Sequence, residues 1–192
     1  MDNKDQVEVE SRAQWRAWLA ANHGREDGVW LVRFKKHTGD KYVSYDDAVE
    51  EALCFGWVDS LPRKLDADRS MLWMAPRRPG SNWSAANKER VERLAADGWM
   101  APAGLAKVEA AQADGTWNAL DSVDKLEVPG DLAAAFERYP GSAVNFEAFP
   151  ASTRRAILEW ILSAKRPATR EKRIEETARL AQENIRANQW RR

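Results

Sequence analysis

The stretch Glu50-Glu51-Ala52-Leu53-Cys54-Phe55-Gly56-Trp57-Val58-Asp59-Ser60 carries the chain out of a helix and into a strand. Ahead of it, Ser44-Tyr45-Asp46-Asp47 opens that helix. The serine suits an N-cap, and carboxylates in the first turn suit the positive end of the helix dipole. Val49, Ala52 and Leu53 fall at helical spacing and predict its buried face. Gly56 stops it, because glycine turns the backbone sharply without steric cost. Further upstream, Gly28 to Lys36 reads as a strand: Val29-Trp30-Leu31-Val32 is β-branched and aromatic, and His37-Thr38-Gly39-Asp40 is its turn. Before that, Ser11-Arg12-Ala13-Gln14 has the capping-box form and starts a helix whose apolar face is Trp15, Trp18 and Leu19, ending at Asn22-His23-Gly24. Downstream of Gly56, residues up to Ala75 read as a short strand followed by a hairpin or meander. Lys64, Asp66 and Asp68 alternate with Leu65 and Ala67 as a half-exposed strand should, and Met71 to Met74 form a buried strand stopped by Pro76. Ser84 then caps a helix carrying Val91, Leu94 and Ala95 and closing near Gly98.

After Gly104 the strand signals cease. Residues 105–113, 129–138, 152–164 and 168–187 have helical patterns, the last with Ile174, Ala178, Ala181 and Ile185 on one stripe. The expected fold class is therefore α+β: a small, mostly antiparallel sheet with helices in the N-terminal half, followed by an all-helical C-terminal module. The expected division is an α+β domain over 1–104, a helix and acidic linker over 105–131, and a helical module over 132–192.

Composition narrows the function classes. The chain has 192 residues, 44% of them hydrophobic, which suffices for a sizeable core. No apolar run approaches the roughly 20 residues that span a bilayer. The start Met1-Asp2-Asn3-Lys4-Asp5 has no apolar segment, so no secretory signal and a cytoplasmic location are expected. One cysteine, Cys54, excludes an internal disulfide framework and cysteine-rich zinc modules. With His23 and His37 as the two histidines, a histidine-rich metal site is excluded too, and no cofactor is expected. The formal net charge is zero but unevenly spread: residues 101–150 hold 3 Lys/Arg against 8 Asp/Glu, and residues 151–192 hold 11 against 5. Overall neutrality argues against a dedicated nucleic-acid binder, although the basic tail keeps an interaction role open. The ten tryptophans, at 15, 18, 30, 57, 73, 83, 99, 117, 160 and 190, point first to a core built on large rings and second to a pocket with an aromatic wall.

Four groups of residues bear on chemistry. Lys35, Lys36 and His37 at a strand end could bind phosphate or carboxylate, or be a solvated turn. Cys54 lies at a helix C-terminus with Glu50 and Glu51 one turn before it. Both features oppose a thiolate, so it reads as structural rather than nucleophilic. Pro76-Arg77-Arg78-Pro79-Gly80-Ser81-Asn82-Trp83-Ser84-Ala85-Ala86-Asn87 gathers arginines, hydroxyls, amides and an indole before a helix N-terminus, which is either an anion site or a capped helix behind a solvated loop. Lys165, Arg166, Arg170, Lys172 and Arg173 form a basic cluster that could face an anionic partner or pair with Glu171, Glu175, Glu176 or the acidic linker. The candidate ligand site drawn from these is Lys36, Trp57, Asp59, Arg77, Trp83 and Asn87. No nucleophile elbow, phosphate loop or metal-ligand spacing assigns catalytic residues.

The runs EEALCFGWVDS, LDADRS, PRRPGSNWSAANKERVERL and GWMAPAG, together with PGDLAAAFERYPGSAVNFEAFPASTRRAILEWILSAKRPATREKRIEE, closely resemble the YdeI/OmpD-associated protein family of bacteria, over roughly residues 10–185. The resemblance implies a link to bacteriocin or antimicrobial-peptide protection and an indirect link to an outer-membrane porin. It implies no established enzyme activity and supplies no catalytic residues. The leading expectation is a binding or stress-protection protein with a pocket for a small polar or anionic ligand between Trp57-Asp59 and Arg77-Trp83-Asn87. The alternatives are an enzyme using Asp59 or His37 for proton transfer, and an interaction module using the basic C-terminal helices.

Overall fold

The structure is a computed structural model in which residues 5–189 are described; Trp190 and most of the polar N-terminal run lie outside them. Two compact units follow one another, the first ending at Ala119 and the second beginning at Leu120.

The first unit contains β1 (Gln6–Val9), α1 (Arg12–Asn22), β2 (Val29–Phe34), a 3-10 helix (Lys36–Lys41), α2 (Tyr45–Cys54), β3 (Trp57–Lys64), β4 (Arg69–Pro76), α3 (Ala85–Ala96) and α4 (Pro102–Asp114). The sheet order is β1-β2-β4-β3. β1 pairs parallel to β2 with α1 as the crossover, and the other two pairings are antiparallel. β1 has no counterpart in the sequence reading. Four residues with two polar side chains give too short a period-2 signal, and the strand is held by pairing with β2. The stretch Leu65 to Asp68, expected as strand, is instead the tip of the β3–β4 hairpin. Asp66 accepts the Asp68 and Arg69 backbone N–H groups at 2.9 and 2.6 Å, so an Asx-type turn outcompetes the alternation. Pro62 falls where the β3 register shifts, on an edge strand that tolerates a missing donor.

Register explains the core. Val29 opposes Met74 and Leu31 opposes Leu72, and these side chains face α1–α4, joining Trp15, Leu19, Leu53, Trp57, Trp83, Val91, Leu94 and Val108. The intervening residues Trp30, Val32, Met71 and Trp73 form a small cluster on the other face, where Arg63 stacks on Trp30 at 4.8 Å. Two of the buried indoles find backbone acceptors: Trp15 donates to the Ala48 carbonyl at 3.0 Å and Trp57 to that of His23 at 3.1 Å. All three serine caps form. Ser11 accepts from Gln14 N–H, Ser44 from Asp47 and Ser84 from Asn87, while the Gln14 amide reaches back to the Glu10 N–H at 2.7 Å.

α4 begins at Pro102 and is part of this first unit, contributing Val108 and Ala111 to its core. Its seat on α2 is set by Gly104, where a β-carbon would stand 2.2 Å from the Cys54 carbonyl oxygen. That same oxygen accepts the Ala101 N–H at 3.0 Å, so an orphan carbonyl at the end of α2 is satisfied by the turn entering α4.

The second unit is helical: α5 (Asp121–Asp124), α6 (Gly130–Arg138), α7 (Ser142–Ala148), α8 (Ala151–Leu162) and α9 (Pro167–Gln182). Its core joins Leu132, Phe136, Phe146, Phe149, Ile157, Leu158, Ile161, Ile174, Ala178 and Ala181. Of the stripe on the last helix, Ile185 lies beyond the helix end and is exposed. No strand occurs in this unit among the described residues, and none of their helices is long and apolar enough to cross a membrane.

Candidate functional site

The site grows from the junction of three elements. Gly56, at φ 76°, ends α2; a β-carbon there would meet Lys107 Cγ at 2.7 Å. Its carbonyl accepts the Arg77 N–H at 2.9 Å, which ties the exit of β4 to the start of β3 and places both beside α4. Arg77 then turns inward. It is 4% exposed, its guanidinium carbon lies 3.7 Å from the centroid of the Trp83 ring, and Nη1 donates to the Asn82 carbonyl at 3.0 Å and to Ser81 Oγ at 3.4 Å. Its Nε–H is buried with no acceptor, and no carboxylate among the described residues forms an ion pair with it. Burial pushes its pKa down to about 10, with the charge of Asp59 acting the other way. A buried cation with neutral partners is an expensive arrangement, since desolvation is not offset by a counter-charge.

Trp83 is fully buried, its ring tilted against Trp117 at 5.0 Å, and its indole N–H is likewise without an acceptor. Two hollows flank the segment Arg77-Arg78-Pro79. The outer is an open cleft of about 700 Å³, with Arg25, Arg77, Arg78 and Lys107 on its walls together with Asp5, Glu26, Asp27 and the indole of Trp73. The inner is a recess of about 70 Å³ lined by Arg77, Arg78, Ser81, Trp83, Lys107, Asp114 and Thr116, among others. Asp114 is engaged locally: it accepts from Thr116 N–H at 2.9 Å, from Thr116 Oγ1 at 2.6 Å, and from the Gly80 N–H, and these bonds hold its pKa below the usual carboxylate range.

Of the six residues singled out from the sequence, Arg77 and Trp83 line these hollows. Trp57 is a core strut behind them. Asp59 is half-buried, accepts the Tyr45 hydroxyl at 2.7 Å and reaches Arg77 through charge alone; burial, then this carboxylate, pushes Tyr45 up to about 12. Asn87 accepts from Arg90 at 3.2 Å and lines neither hollow. Lys36 is exposed on the 3-10 helix, where its neighbour His37 contacts Asp68 at 3.0 Å. Among the described residues His37 contacts Asp68 and Asp59 accepts from Tyr45, so the two groups considered for proton transfer are not bonded to each other. Arg25, Trp73 and Lys107 escaped the sequence reading, because each comes to the cleft from a different element and no linear motif contains them. Arg78 was within the quoted motif. The described residues contain no group of three or more His, Cys, Asp or Glu placed to hold a metal ion.

A second charged cluster lies at α2. Glu51 is fully buried and accepts from Arg12 Nε and Arg16 Nη1, both at 2.6 Å, and Glu50 is paired with Arg12 and Arg93. Both Arg12 and Arg16 stack on Trp99. Cys54, beside Glu51 and Arg16, is buried, and its pKa is raised by burial first and by Glu51 second, Arg16 opposing. In the second unit, Arg170 pairs with Asp131 of the acidic stretch at 2.6 Å, and Arg173 bonds the Trp160 carbonyl and Ser163 Oγ rather than a carboxylate.

Two family models match the chain. Residues 7–107 match a family described as Domain of unknown function (DUF8412), and residues 125–184 match one described as Bacteriocin-protection, YdeI or OmpD-Associated. The resemblance read from the sequence thus has its match in the helical unit, while most of the α+β unit matches the other family. No curated protein and no solved structure matches the chain.

Proposed function

We propose that this chain, which belongs over more than half its length to the family described as Domain of unknown function (DUF8412), is a binding protein for a small ligand carrying an anionic group. The ligand is taken at the cleft beside Arg77. One observation carries the reading: Arg77 is buried without a carboxylate partner, on the wall of an open cleft that Arg25, Arg78 and Lys107 also line. Such a cation is stabilised by an anion that arrives from solution, and the surrounding positive charge raises the anion's local concentration. Arg25 and Asp5 on this cleft pair with each other at 2.5 Å, which leaves Arg78 and Lys107 as the positive charge beside Arg77, and Glu26 and Asp27 favour a ligand that also bears a positive or hydrogen-donating group. The match of residues 125–184 supports placing this binding within protection against bacteriocins or other antimicrobial peptides, with any porin connection indirect.

The test is isothermal titration of the protein with acetate, glutamate, inorganic phosphate and a nucleoside monophosphate. Arg78→Glu/Lys107→Glu serves as the comparison, since it reverses two charges at the cleft without touching the core. The reading expects at least one probe to bind saturably, and the double reversal to weaken it by tenfold or more. If no probe binds, or if the reversal leaves binding unchanged, the reading fails.

A further inference from the structure

The inner recess has a chemistry of its own. Among the described residues two buried N–H groups, Nε of Arg77 and Nε1 of Trp83, find no acceptor, and both side chains line this one space. Buried polar groups in folded proteins are almost always bonded, because an orphan loses its bond to water and gains none in return. Two orphan donors in stacked groups are therefore a demand for an acceptor. The stack, at 3.7 Å from guanidinium carbon to ring centroid, holds the two side chains together on the recess wall, and because both N–H groups are sealed from solvent an acceptor reaches them with a small shift of that wall. The recess, at about 70 Å³, has room for such a group.

Charge narrows the class. Arg77 is cationic and has no ion pair among the described residues, and Arg78 and Lys107 stand on the same walls, so the acceptor is an anion. Asp114 also lines the recess and is held ionised by three hydrogen bonds, so a dianion is repelled where a monoanion is tolerated.

We propose that the recess is a carboxylate subsite: the anionic end of a small organic acid, or of an amino acid, bonds the Arg77 Nε–H and the Trp83 indole N–H, while the rest of the molecule extends toward the outer cleft. This deepens the reading of an anionic ligand at Arg77 and rests on it. It assigns the ligand to the carboxylic acids rather than the phosphate esters, and it makes Trp83 a contact residue through one hydrogen atom.

The experiment reads that hydrogen directly. In ¹⁵N-labelled full-length protein, the Trp83 indole N–H resonance, assigned by its loss in Trp83→Phe, is followed during titration with acetate, chloride and inorganic phosphate at constant ionic strength. Acetate is expected to move the Trp83 indole peak downfield and saturably, more tightly than either inorganic anion. Trp83→Phe keeps an aromatic ring beside the guanidinium but loses the donor, and is expected to weaken acetate about tenfold. Asp114→Asn is expected to narrow the gap between acetate and phosphate. A peak that does not move while the calorimetric probes bind at the outer cleft overturns the subsite and leaves the broader reading standing. Phosphate or chloride binding as tightly as acetate overturns the carboxylate assignment. If neither the peak nor the calorimeter responds to any probe, both readings fall.

Discussion

Replacing Gly104 by alanine places a methyl group where the first turn of α4 lies on the end of α2. The new carbon would stand 2.2 Å from the Cys54 carbonyl oxygen, 2.7 Å from its carbon and 2.8 Å from the Leu53 oxygen. All three are backbone atoms, so no side chain can swing aside. Relief requires α4 to lift from α2 by about an ångström, which stretches the 3.0 Å bond from Ala101 N–H to that same oxygen. Overpacking of this kind costs about 1–3 kcal/mol, and a buried carbonyl losing its donor about 1–3 more. Alanine returns about 1 kcal/mol through helix propensity. The net expectation is a destabilisation of about 2–4 kcal/mol, measured by urea unfolding with the first unit's tryptophan fluorescence as signal. Since α4 carries Lys107 and Asp114, both on the recess, the variant should also bind acetate more weakly. Gly24→Ala is the control: it lies in the same unit outside any helix, has no described neighbour within 4 Å of its would-be β-carbon and no positive φ, so it should change stability by under about 0.5 kcal/mol. A Gly104→Ala protein as stable as the parent, or more so, would refute the close-contact reasoning and leave helix propensity as the dominant effect.

Three further outcomes follow from the charged and buried groups. Arg16→Met removes one of two arginines from the fully buried Glu51; because Arg16 is itself partly solvated, the cost should be nearer 2 than 5 kcal/mol, and a loss below 0.5 in urea unfolding would contradict the pairing. Cys54, buried with its pKa raised, should resist iodoacetamide in the folded protein near neutral pH and react fully in denaturant, as read by mass; stoichiometric labelling of the folded protein within minutes would show an accessible thiolate. Burial pushes the Arg77 pKa down to about 10, well below that of a free guanidinium, so below pH 10 both states hold the proton and the burial cost, about 3 kcal/mol, stands in full. Above pH 10 the folded state loses its proton first, so this contribution to stability rises with pH, while Tyr45, raised to about 12, loses stability over the same window. Measured against Arg77→Gln in a Tyr45→Phe background, the protein with Arg77 should gain about 1 kcal/mol of relative stability between pH 9 and 11; a flat difference would mean that Arg77 is better solvated than its burial indicates.

Local chemistry sufficed wherever a few adjacent residues decide the outcome. The serine caps at 11, 44 and 84, the glycine stop at Gly56, the buried strand before Pro76 and the helical spacing after Gly104 each rest on backbone geometry or on a periodicity that neighbours enforce. Those signals determined the α+β class and the helical second unit from the sequence alone. They also located the Arg77–Trp83 segment, since a cluster of arginines, hydroxyls and an indole before a capped helix is a linear feature.

Tertiary structure decided what that segment does. Arg77 could have been a solvated loop residue, and only the bond from its N–H to Gly56 and the stacking on Trp83 turn it into a buried cation. Lys107 and Asp114 reach the same recess from a helix whose approach is fixed by the missing β-carbon of Gly104, and Arg25 arrives from the turn after α1. β1 exists because β2 offers an edge, and the Leu65–Asp68 tip became a turn because Asp66 bonds two backbone N–H groups. Periodicity and capping are short-range energies written along the chain. The partner of a charge, the depth of a side chain and the walls of a cavity are set by residues tens of positions apart, brought together by burial that no local pattern encodes.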